Sequence, residues 1–428
     1  MAVSIIPLSG KKEKEYIVSP DADVRFIDPF DNSIVASYSA ADFANLSALP
    51  ENPTHDGLIS QGWNWTLADA KATVASDGML DIGQMYATTD GSTRLYVHLD
   101  AGGLSPYVFL DMKVATFSVD WGDGSTGTIE GTDTQYYRHK YATHTYAKPG
   151  DYVIKLKSVS GTAKIEGYST GSRIMNAGAS SSAVTRNAYY LSTIKRVEIG
   201  ADVTLEAYAF YYCKCMESVT IPSHITSFGQ YAFQDTGLLF ASLPSGTTTT
   251  SQNVFSNCYY LQCVSVPKSF ETYAVASLSG CRSLKRITGA MTSIPQNLCT
   301  DCYGLKSLRL PNSITSIGNG AFQNLVFNEL KLPSSLQTIG NSAFTPPYYI
   351  SYLEIPASVT SIGSTAFRYP YSLGIIKFLG STPPTVANAN AFGDLPTSCV
   401  IYVPTGSLSA YTGTANMPDP NTYTYVEY

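Results

Sequence analysis

The stretch Leu305-Lys-Ser-Leu308-Arg-Leu310-Pro311-Asn-Ser-Ile314-Thr-Ser-Ile317-Gly318-Asn-Gly-Ala321-Phe322 decides the fold of this chain. Its first part alternates apolar and polar residues, which is typical of a short strand, and the proline that follows stops the strand. The same pattern returns from about residue 191 onward, with clear copies starting at Met216, Phe327 and Ile350. Repetition of this kind predicts a stack of similar turns.

Two columns of apolar residues share one period. The first column lies at the centre of the predicted strands, and its members are 21 to 23 residues apart: Val197, Val219, Ala241, Val264, Ile287, Leu308, Leu330, Leu353 and Ile376. The second lies farther along each turn, usually in an Ala-Phe pair: Phe210, Phe233, Phe255, Leu278, Leu298, Phe322, Phe344, Phe367 and Phe392. Because a single turn cannot cover its own apolar strand, the turns must stack into a continuous core. We therefore predict a solenoid of about nine turns.

The repeat resembles a known family. The pattern Leu-x-x-Leu-x-Leu at this period is that of leucine-rich repeats, and Pro311 to Phe322 resembles the BspA-like branch, with close copies at Pro222 to Phe233, Pro333 to Phe344 and Pro356 to Phe367. The copies around Pro267 and Ile287 lack the Ile-Gly-x-x-Ala-Phe segment, so we expect irregular turns there. The resemblance implies a terminal cap near Val403, which the open end of a stack requires.

Two further modules are indicated upstream. The series Trp121-Gly-Asp-Gly-Ser125, His144-Thr-Tyr146 and Pro149-Gly-Asp-Tyr-Val-Ile-Lys-Leu156 combines turn dipeptides with a good strand, and resembles a PKD-type immunoglobulin-like module. Near the N-terminus, Val24 to Asp28, Leu49 to Pro53 and Gly62 to Trp65 are arranged like the small β-grasp modules of internalin-type B repeats.

The expected fold is mainly β, with a C-terminal leucine-rich-repeat solenoid behind these two modules. In chain order, the predicted parts are an arm (1–20), a β-grasp-like module (21–82), a PKD-like β-sandwich (83–166), a linker or solenoid start (167–190), the capped solenoid (191–404) and a tail (405–428).

Composition excludes several classes of function. The net charge of −6 is weak for 428 residues, and no Lys/Arg-rich helix or patch occurs, so nucleic-acid binding is not expected. No apolar run of about 18 residues occurs, which argues against membrane insertion. The first residues lack the basic-then-apolar order of a secretion signal.

Candidate catalytic and metal sites are weak. Ser169 lies in a Gly-x-Ser-x-Gly pattern, but His224 is the one histidine after it and falls in a repeat turn. Asp120 and Asp123 are better explained as turn carboxylates than as calcium ligands, since no further ligands continue the site. Cys299-x-x-Cys302 has metal spacing without a second pair. We expect no enzyme activity, no cofactor and no metal.

Four cysteines follow the repeat phase. Cys213, Cys258 and Cys281 each lie three residues past a member of the second column, and Cys302 lies four past. Buried, unreactive thiols that fill the core are one interpretation. Oxidation of adjacent members in a secreted protein is the alternative, and the sequence leaves it open.

Two surfaces are candidates for function, because the solenoid interior is committed to packing. The first is an exposed ladder of polar residues within the strands: Glu198, Thr220, Ser242, Ser265, Thr288, Arg309, Lys331, Glu354 and Lys377. The second is an edge of tyrosines between the second column and the next strand: Tyr211, Tyr212, Tyr259, Tyr260, Tyr303, Tyr348, Tyr349, Tyr369 and Tyr371. Tyrosine suits recognition of proteins or stacking on sugars, although such rings could also merely shield the turns.

The leading hypothesis is a non-enzymatic binding or adhesion protein displayed on an exterior surface, since BspA-like repeats imply surface adhesion. Its expected partner is a host-surface protein or glycan. The missing export signal favours a phage virion component, such as a tail, fibre or decoration protein, with other virion subunits as further partners. A bacterial cell-surface adhesin and a purely structural virion protein are the alternatives.

Overall fold

The computed structural model describes residues 22–168, 171–172, 174–176, 189–267, 270, 274–305, 307–326, 329–346 and 349–428. The arm predicted for 1–20 and most of the linker predicted for 167–190 lie outside these residues.

The N-terminal module is a mixed four-stranded sheet with two helices. Its elements are β1 (Val24–Asp28), β2 (Ser33–Tyr38), α1 (Ala40–Ala44), β3 (Leu58–Trp63), α2 (Leu67–Asp77) and β4 (Leu80–Thr88). The strand order is β2-β1-β4-β3, with β1 parallel to β4 and the outer pairs antiparallel. Val24, Phe26, Leu80 and Ile82 point from the central strands into a core shared with the helices. The module ends at Thr88 and not at residue 82, because β4 crosses that position.

Two sheets follow and share one core. Their strands are β5 (Thr93–Leu99), β6 (Tyr107–Met112), β7 (Ala115–Asp120), β8 (Thr126–Gly131), β9 (Arg138–Thr143), β10 (Gly150–Ser160), β11 (Ala163–Ile165) and β14 (Met175–Asn176), with a small hairpin of β12 (Gly167–Tyr168) and β13 (Gly171–Ser172) between the last two. One sheet contains β5-β10-β7-β8, and the other contains β14-β6-β11 with β9 beside β6. The PKD-type resemblance of this region stays a prediction.

Both sheets continue into the solenoid. Strand β15 (Ile194–Glu198) pairs antiparallel with β5, and β16 (Val203–Leu205) pairs parallel with β11. One buried cluster therefore extends without a break from Leu95 to Met417. The two sheets close the N-terminal end of the stack, so this region is a cap as well as a module.

The solenoid has about ten turns over residues 196–427. After β15, its ladder strands are β17 (Ser218–Thr220), β19 (Phe240–Ser242), β21 (Cys263–Val266), β22 (Arg286–Gly289), β24 (Ser307–Arg309), β26 (Glu329–Lys331), β28 (Tyr352–Ile355), β30 (Ile375–Phe378), β32 (Val400–Val403) and β33 (Thr424–Glu427). Shorter strands on the opposite side of each turn are β18 (Ser227–Phe228), β20 (Thr249–Thr250), β23 (Ser293–Ile294), β25 (Ser316–Ile317), β27 (Thr338–Ile339), β29 (Ser361–Ile362) and β31 (Thr385–Val386). The ladder strands pair in parallel in four groups, β15–β17, β19–β21–β22, β24–β26 and β28–β30–β32–β33, and column residues lie opposite one another, as Leu353 does to Ile376.

The phenylalanine column forms a stack inside the solenoid. Phe322, Phe344, Phe367 and Phe392 have ring centroids 5.5, 5.3 and 5.7 Å apart, with near-parallel planes. One member of the predicted column is wrong. Each column residue donates its amide to the residue just before the next column member, as Phe322 does to the Ala343 carbonyl. By this rule Cys299, whose amide bonds to Ala321, occupies the column in place of Leu298.

The C-terminal residues are part of the solenoid. Strand β33 pairs parallel with β32 over Thr424 to Glu427, so the tail predicted from residue 405 is in fact the last ladder strand and its connection. That connection includes α3 (Leu408–Gly413), which follows a 3₁₀ turn at Ala389–Phe392 and β32. Tyr411 of α3 packs against Phe378, and its hydroxyl donates to the Gly380 carbonyl at 2.7 Å. The helix thus covers the apolar end of the stack.

Candidate binding surfaces

The N-terminal module covers the ladder face of the first solenoid turns. The residues of β1 and β4 alternate: those that do not enter the module core point at the ladder. The backbone amide of Asp81 donates to Thr288 Oγ1 of the ladder at 2.9 Å. At Gly83, a Cβ atom would come within 2.3 Å of Ser242 Oγ, so only glycine permits this approach. The backbone of Gly83 lies directly against the Ser242 side chain.

This contact corrects the prediction of an exposed ladder. Glu198 and Thr220 are each 1% exposed, Ser265 is 0% and Thr288 is 1%, while Ser242 is half-buried. Asn64 of the module donates to Ser242 Oγ at 2.6 Å and to the Leu243 carbonyl at 3.0 Å. Ser242 and Thr288 therefore bind the module, and the buried ladder residues of these turns are closed to an external ligand.

Glu198 is satisfied entirely from within the chain. Its carboxylate accepts hydrogen bonds from Arg94 at 3.1 Å and from the Tyr96 hydroxyl at 2.8 Å. The Arg196 guanidinium lies 3.5 Å away and is held between the rings of Tyr96 and Phe30. A buried carboxylate needs such partners, which accounts for the residue without a ligand.

A shared carboxylate fixes the centre of this interface. Asp81 is fully buried and accepts two 2.7 Å bonds from the Arg25 guanidinium, which is 1% exposed. Arg286 of β22 approaches the same carboxylate at 3.4 Å and donates to the carbonyls of Ala22 and Asp23. Beside this group, Ile27 packs on Phe240 and Cys263 of the ladder. Charge and apolar contact together hold the module on the solenoid.

The second half of the ladder face has a different environment. Lys331 is exposed, and Glu354 and Lys377 are half-buried. Glu354 accepts a 2.8 Å bond from the exposed Tyr352 hydroxyl; partial burial and this carboxylate raise the pKa of Tyr352 to about 12. Lys377 lies 4.1 Å from the centre of the Tyr428 ring. Arg309 lies on β24, but its side chain is outside the described part of the chain.

The predicted tyrosine edge is densest in the middle of the solenoid. Tyr259, Tyr260 and Tyr303 are 41, 45 and 43% exposed. Arg282 occupies the same repeat position as Tyr259 and Tyr303, one turn from each, and its guanidinium lies 4.9 and 5.9 Å from their ring centres. We call these four residues the central patch. Arg282 was not predicted from the sequence, although it lies four residues past Leu278 of the second column, just as Tyr259 lies four residues past Phe255.

The other predicted tyrosines form two separate groups. Toward the C-terminus, Tyr349 and Tyr371 are 65 and 62% exposed, and half-buried Tyr369 lies beneath Arg368, which also pairs with Asp394 at 2.9 Å. Toward the N-terminus, Tyr211 and Tyr212 are half-buried and pack edge to face. Tyr348 lies outside the described residues. The nine tyrosines are therefore not one continuous edge.

Several tyrosines occupy backbone positions that disfavour them. Tyr208, Tyr212, Tyr231, Tyr349 and Tyr369 all have φ between 61° and 68°, in the left-handed region. The positions of Tyr208 and Tyr212 carry asparagine or glycine in other turns, at Asn253, Asn257, Asn297, Gly320 and Asn324, but also Ala276, Ser342 and Thr365. A residue with a Cβ atom costs about 1–2 kcal/mol there, so these turns accept the strain from several residue types and do not select tyrosine.

The rejected chemical sites have ordinary structural roles. Asp120 and Asp123 accept backbone amides two residues ahead, at 2.9 and 3.0 Å, as turn carboxylates do. The hydrogen bond from Ser125, with help from His144, lowers the pKa of Asp123 to about 2. Ser169 lies outside the described residues, and burial lowers the pKa of His224. Within the described residues, no group of three or more His, Cys, Asp or Glu side chains could hold a metal.

The cysteine column is explained by packing and hydrogen bonding. All eight cysteines are free thiols. With Cys299 in the second column, Cys302 lies three residues past it, like the other members. Cys258, Cys281 and Cys302 each donate to the carbonyl of a column residue in the turn before, at 3.1, 3.1 and 2.9 Å. Burial raises the pKa of Cys258 to about 12, so the thiolate needed for reaction is disfavoured.

The repeats define the family. Six copies of the BspA type leucine-rich repeat region match at residues 182–292 and 292–402, which is just over half of the chain. The chain therefore belongs to the BspA-type leucine-rich-repeat family. No curated protein matches it.

Six solved protein chains are similar. A leucine-rich repeat protein from Bacteroides ovatus has 19% identity and a TM-score of 0.36, over 55% of this chain and 55% of its own length. A leucine-rich cell surface protein from Faecalibacterium prausnitzii has 23% identity and a TM-score of 0.34, over 56% and 62%. The pneumococcal vaccine antigen PcpA has 16% identity and a TM-score of 0.32, over 55% and 71%. The chain thus spans about half the length of the first of these proteins.

Among the helices that the structure describes, none combines the length and apolarity that a membrane crossing needs.

Proposed function

We propose that this chain is a non-enzymatic binding protein displayed on an exterior surface, and that the tyrosine-bearing edge of its solenoid attaches to a host-surface protein or glycan. One observation carries the proposal: Tyr259, Tyr260 and Tyr303 expose 41 to 45% of their surface around Arg282 on a rigid stack. Large aromatic side chains with polar tips are the residues that recognition surfaces favour.

The position of the N-terminal module supports the edge over the concave face. The module covers Thr220, Ser265 and Thr288, so the first five ladder strands cannot form the groove that an uncovered solenoid would offer. The edge, which lies between the second column and the next strand, keeps its exposed rings. The open second half of the ladder, with Lys331 and Tyr352, is a second surface available to a partner.

Two features support the non-enzymatic part of the proposal. Membership of a repeat family commits the interior to packing. The buried carboxylates Asp81 and Glu198 are both neutralised by arginines within the chain. Such groups are structural partners and not acid or base catalysts.

The virion setting stays a prediction, as does the bacterial cell surface. Genes for capsid and tail proteins beside this gene would favour the virion. A sortase gene, or a longer reading frame with an export signal, would favour the cell surface.

The binding proposal is tested by replacing Tyr259, Tyr260 and Tyr303 together with serine in the full chain. Attachment of the fluorescently labelled protein is measured on a printed glycan array and on intact bacterial and epithelial cells. The variant is expected to lose at least ten-fold in attachment, with the thermal midpoint unchanged. The matched control replaces Tyr136, Tyr137 and Tyr141, which are 53, 40 and 44% exposed on the N-terminal sheets, and should attach normally. Equal attachment by both variants would exclude the central patch.

A further inference from the structure

The central patch contains a cation, Arg282, that has no ion pair among the residues the structure describes. Arg282 is exposed, and among the described residues it makes no ion pair; its contacts are the rings of Tyr259 and Tyr303. Asp301, one turn away, is engaged by the Tyr303 hydroxyl at 3.1 Å and by Asn324 at 3.0 Å. Lys285, three residues after Arg282, is exposed and likewise has no ion pair within the described residues.

The rings hold the guanidinium in a defined place. A guanidinium that stacks on aromatic rings loses less freedom on binding than a free one, and its planar donors match a carboxylate or sulfate bidentately. Arg368 provides a contrast, because it lies 4.4 Å from the Tyr369 ring centre but already pairs with Asp394 at 2.9 Å. Of these two arginine–tyrosine contacts, the one at Arg368 is neutralised, and the one at Arg282 has no ion pair among the described residues.

A partly exposed ring lies beside this cation. Tyr259, whose ring centre is 4.9 Å from the Arg282 guanidinium, keeps 41% of its surface exposed. Tyr260 adds a second exposed ring at the same turn. An aromatic face next to a fixed guanidinium suits a sugar ring that carries a negatively charged substituent, since the ring stacks while the charge pairs.

From this arrangement we infer that the central patch binds acidic glycans, with Arg282 pairing to a carboxylate or sulfate group and Tyr259 stacking on the sugar that carries it. The inference rests on the proposed function and names the class of ligand. A partner protein that carries sulfated or carboxylated side chains would bind Arg282 without stacking a sugar on the aromatic rings, so the exposed surface of Tyr259 and Tyr260 favours the glycan.

The experiment measures binding of the full chain to immobilised polygalacturonate, dextran sulfate and neutral dextran. The natural chain should bind one or both acidic polymers, and not neutral dextran, with an affinity that falls as salt is raised. Arg282→Gln should weaken that binding at least ten-fold, and Arg282→Lys should restore part of it. Arg368→Gln is the matched control and should bind within two-fold of the natural chain. Comparing the affinity for polygalacturonate with that for dextran sulfate shows whether the patch prefers a carboxylate or a sulfate group.

Three results would overturn the inference: equal binding to neutral dextran, binding by Arg282→Gln within two-fold of the natural chain, or Arg282-dependent binding to a tyrosine-sulfated peptide but to neither polymer. If the triple tyrosine variant loses cell attachment while Arg282→Gln keeps it, the proposed function stands and the acidic ligand is wrong. If Arg282→Gln loses polymer binding while the tyrosine variant still attaches to cells, the acidic site exists and the proposed attachment surface is wrong.

Discussion

The fully buried carboxylate of Asp81 allows a direct test of how the N-terminal module is held. Replacing Asp81 with alanine leaves the Arg25 guanidinium, which is 1% exposed, without its two 2.7 Å bonds, and removes the carboxylate 3.4 Å from Arg286. Removal of one partner from a buried ion pair costs about 3–5 kcal/mol. Because each 1.36 kcal/mol is a factor of ten, the fraction of undocked module should rise by roughly 10² to 10⁴.

Cys263 reports on this undocking. It lies on the ladder beneath the module, 5% exposed, and burial raises the pKa of its thiol to about 12. In a Cys215→Ser background, which removes the cysteine that is not buried, Asp81→Ala should greatly accelerate labelling of Cys263 by a thiol reagent, as followed by peptide mass spectrometry. Cys258 and Cys281, inside the solenoid core, should stay protected, which distinguishes undocking from global unfolding.

The control removes an exposed partner of another arginine. Asp394→Ala breaks the ion pair between Arg368 and Asp394, whose side chains are 33 and 50% exposed, and should change neither the thermal midpoint nor the labelling of Cys263. If Cys263 stays as protected in Asp81→Ala as in the natural chain, the module is not held by this charge group. If all three thiols are labelled at one rate, the module and solenoid unfold together and separate docking is refuted.

Two further predictions concern stability. Ala276 has φ 54°, and Asn253 and Asn297 adopt the same conformation at the equivalent position of other turns. Because asparagine tolerates this conformation better than alanine, Ala276→Asn should raise the free energy of unfolding by about 1 kcal/mol in urea titrations. A loss of stability would contradict the backbone argument. Burial first, and then the neighbouring Asp111, raise the pKa of Glu166 to about 7 from its ordinary 4.5. The contribution of Glu166 to the stability of the fold is therefore fully present below pH 4.5 and is lost as the pH rises through 7. Glu166→Gln should flatten stability against pH in that window and stabilise the protein at pH 8 by about 1 kcal/mol, after allowance for solvent screening; an unchanged pH profile would refute the assignment.

The repeats show how far sequence reasoning reached and where it stopped. Spacing placed most of the phenylalanine column, but assigned Leu298 where the backbone bonds place Cys299. Both residues are small enough and apolar enough to fit either position, so composition could not decide between them. Register in a stack is set by which amide meets which carbonyl in the next turn, and that is a property of the folded chain.

The sequence also predicted the tyrosines of the central patch correctly as exposed and the strand ladder only in part. The exposure of Tyr259, Tyr260 and Tyr303 agrees with the sequence prediction, because these residues lie in the connection between the second column and the next ladder strand, at the surface of the stack. The burial of Glu198 and Thr220 did not follow, because the segment that covers them lies more than a hundred residues away in the chain. Nothing local in a ladder strand distinguishes a covered polar residue from an open one.

The sequence by itself determined the solenoid, its period and its family, because each turn repeats the same spacing of buried apolar residues and that spacing recurs in nine copies along the chain. Only the tertiary structure decided that β1 and β4 lie on the ladder, that the upstream sheets continue into β15 and β16, and that Arg282 stands between two tyrosines with no ion pair among the described residues. These contacts join residues such as Asp81 and Thr288, 207 positions apart, which meet once and leave no periodic trace. Their complementarity is of shape and charge in three dimensions, and it exists only when both surfaces have folded.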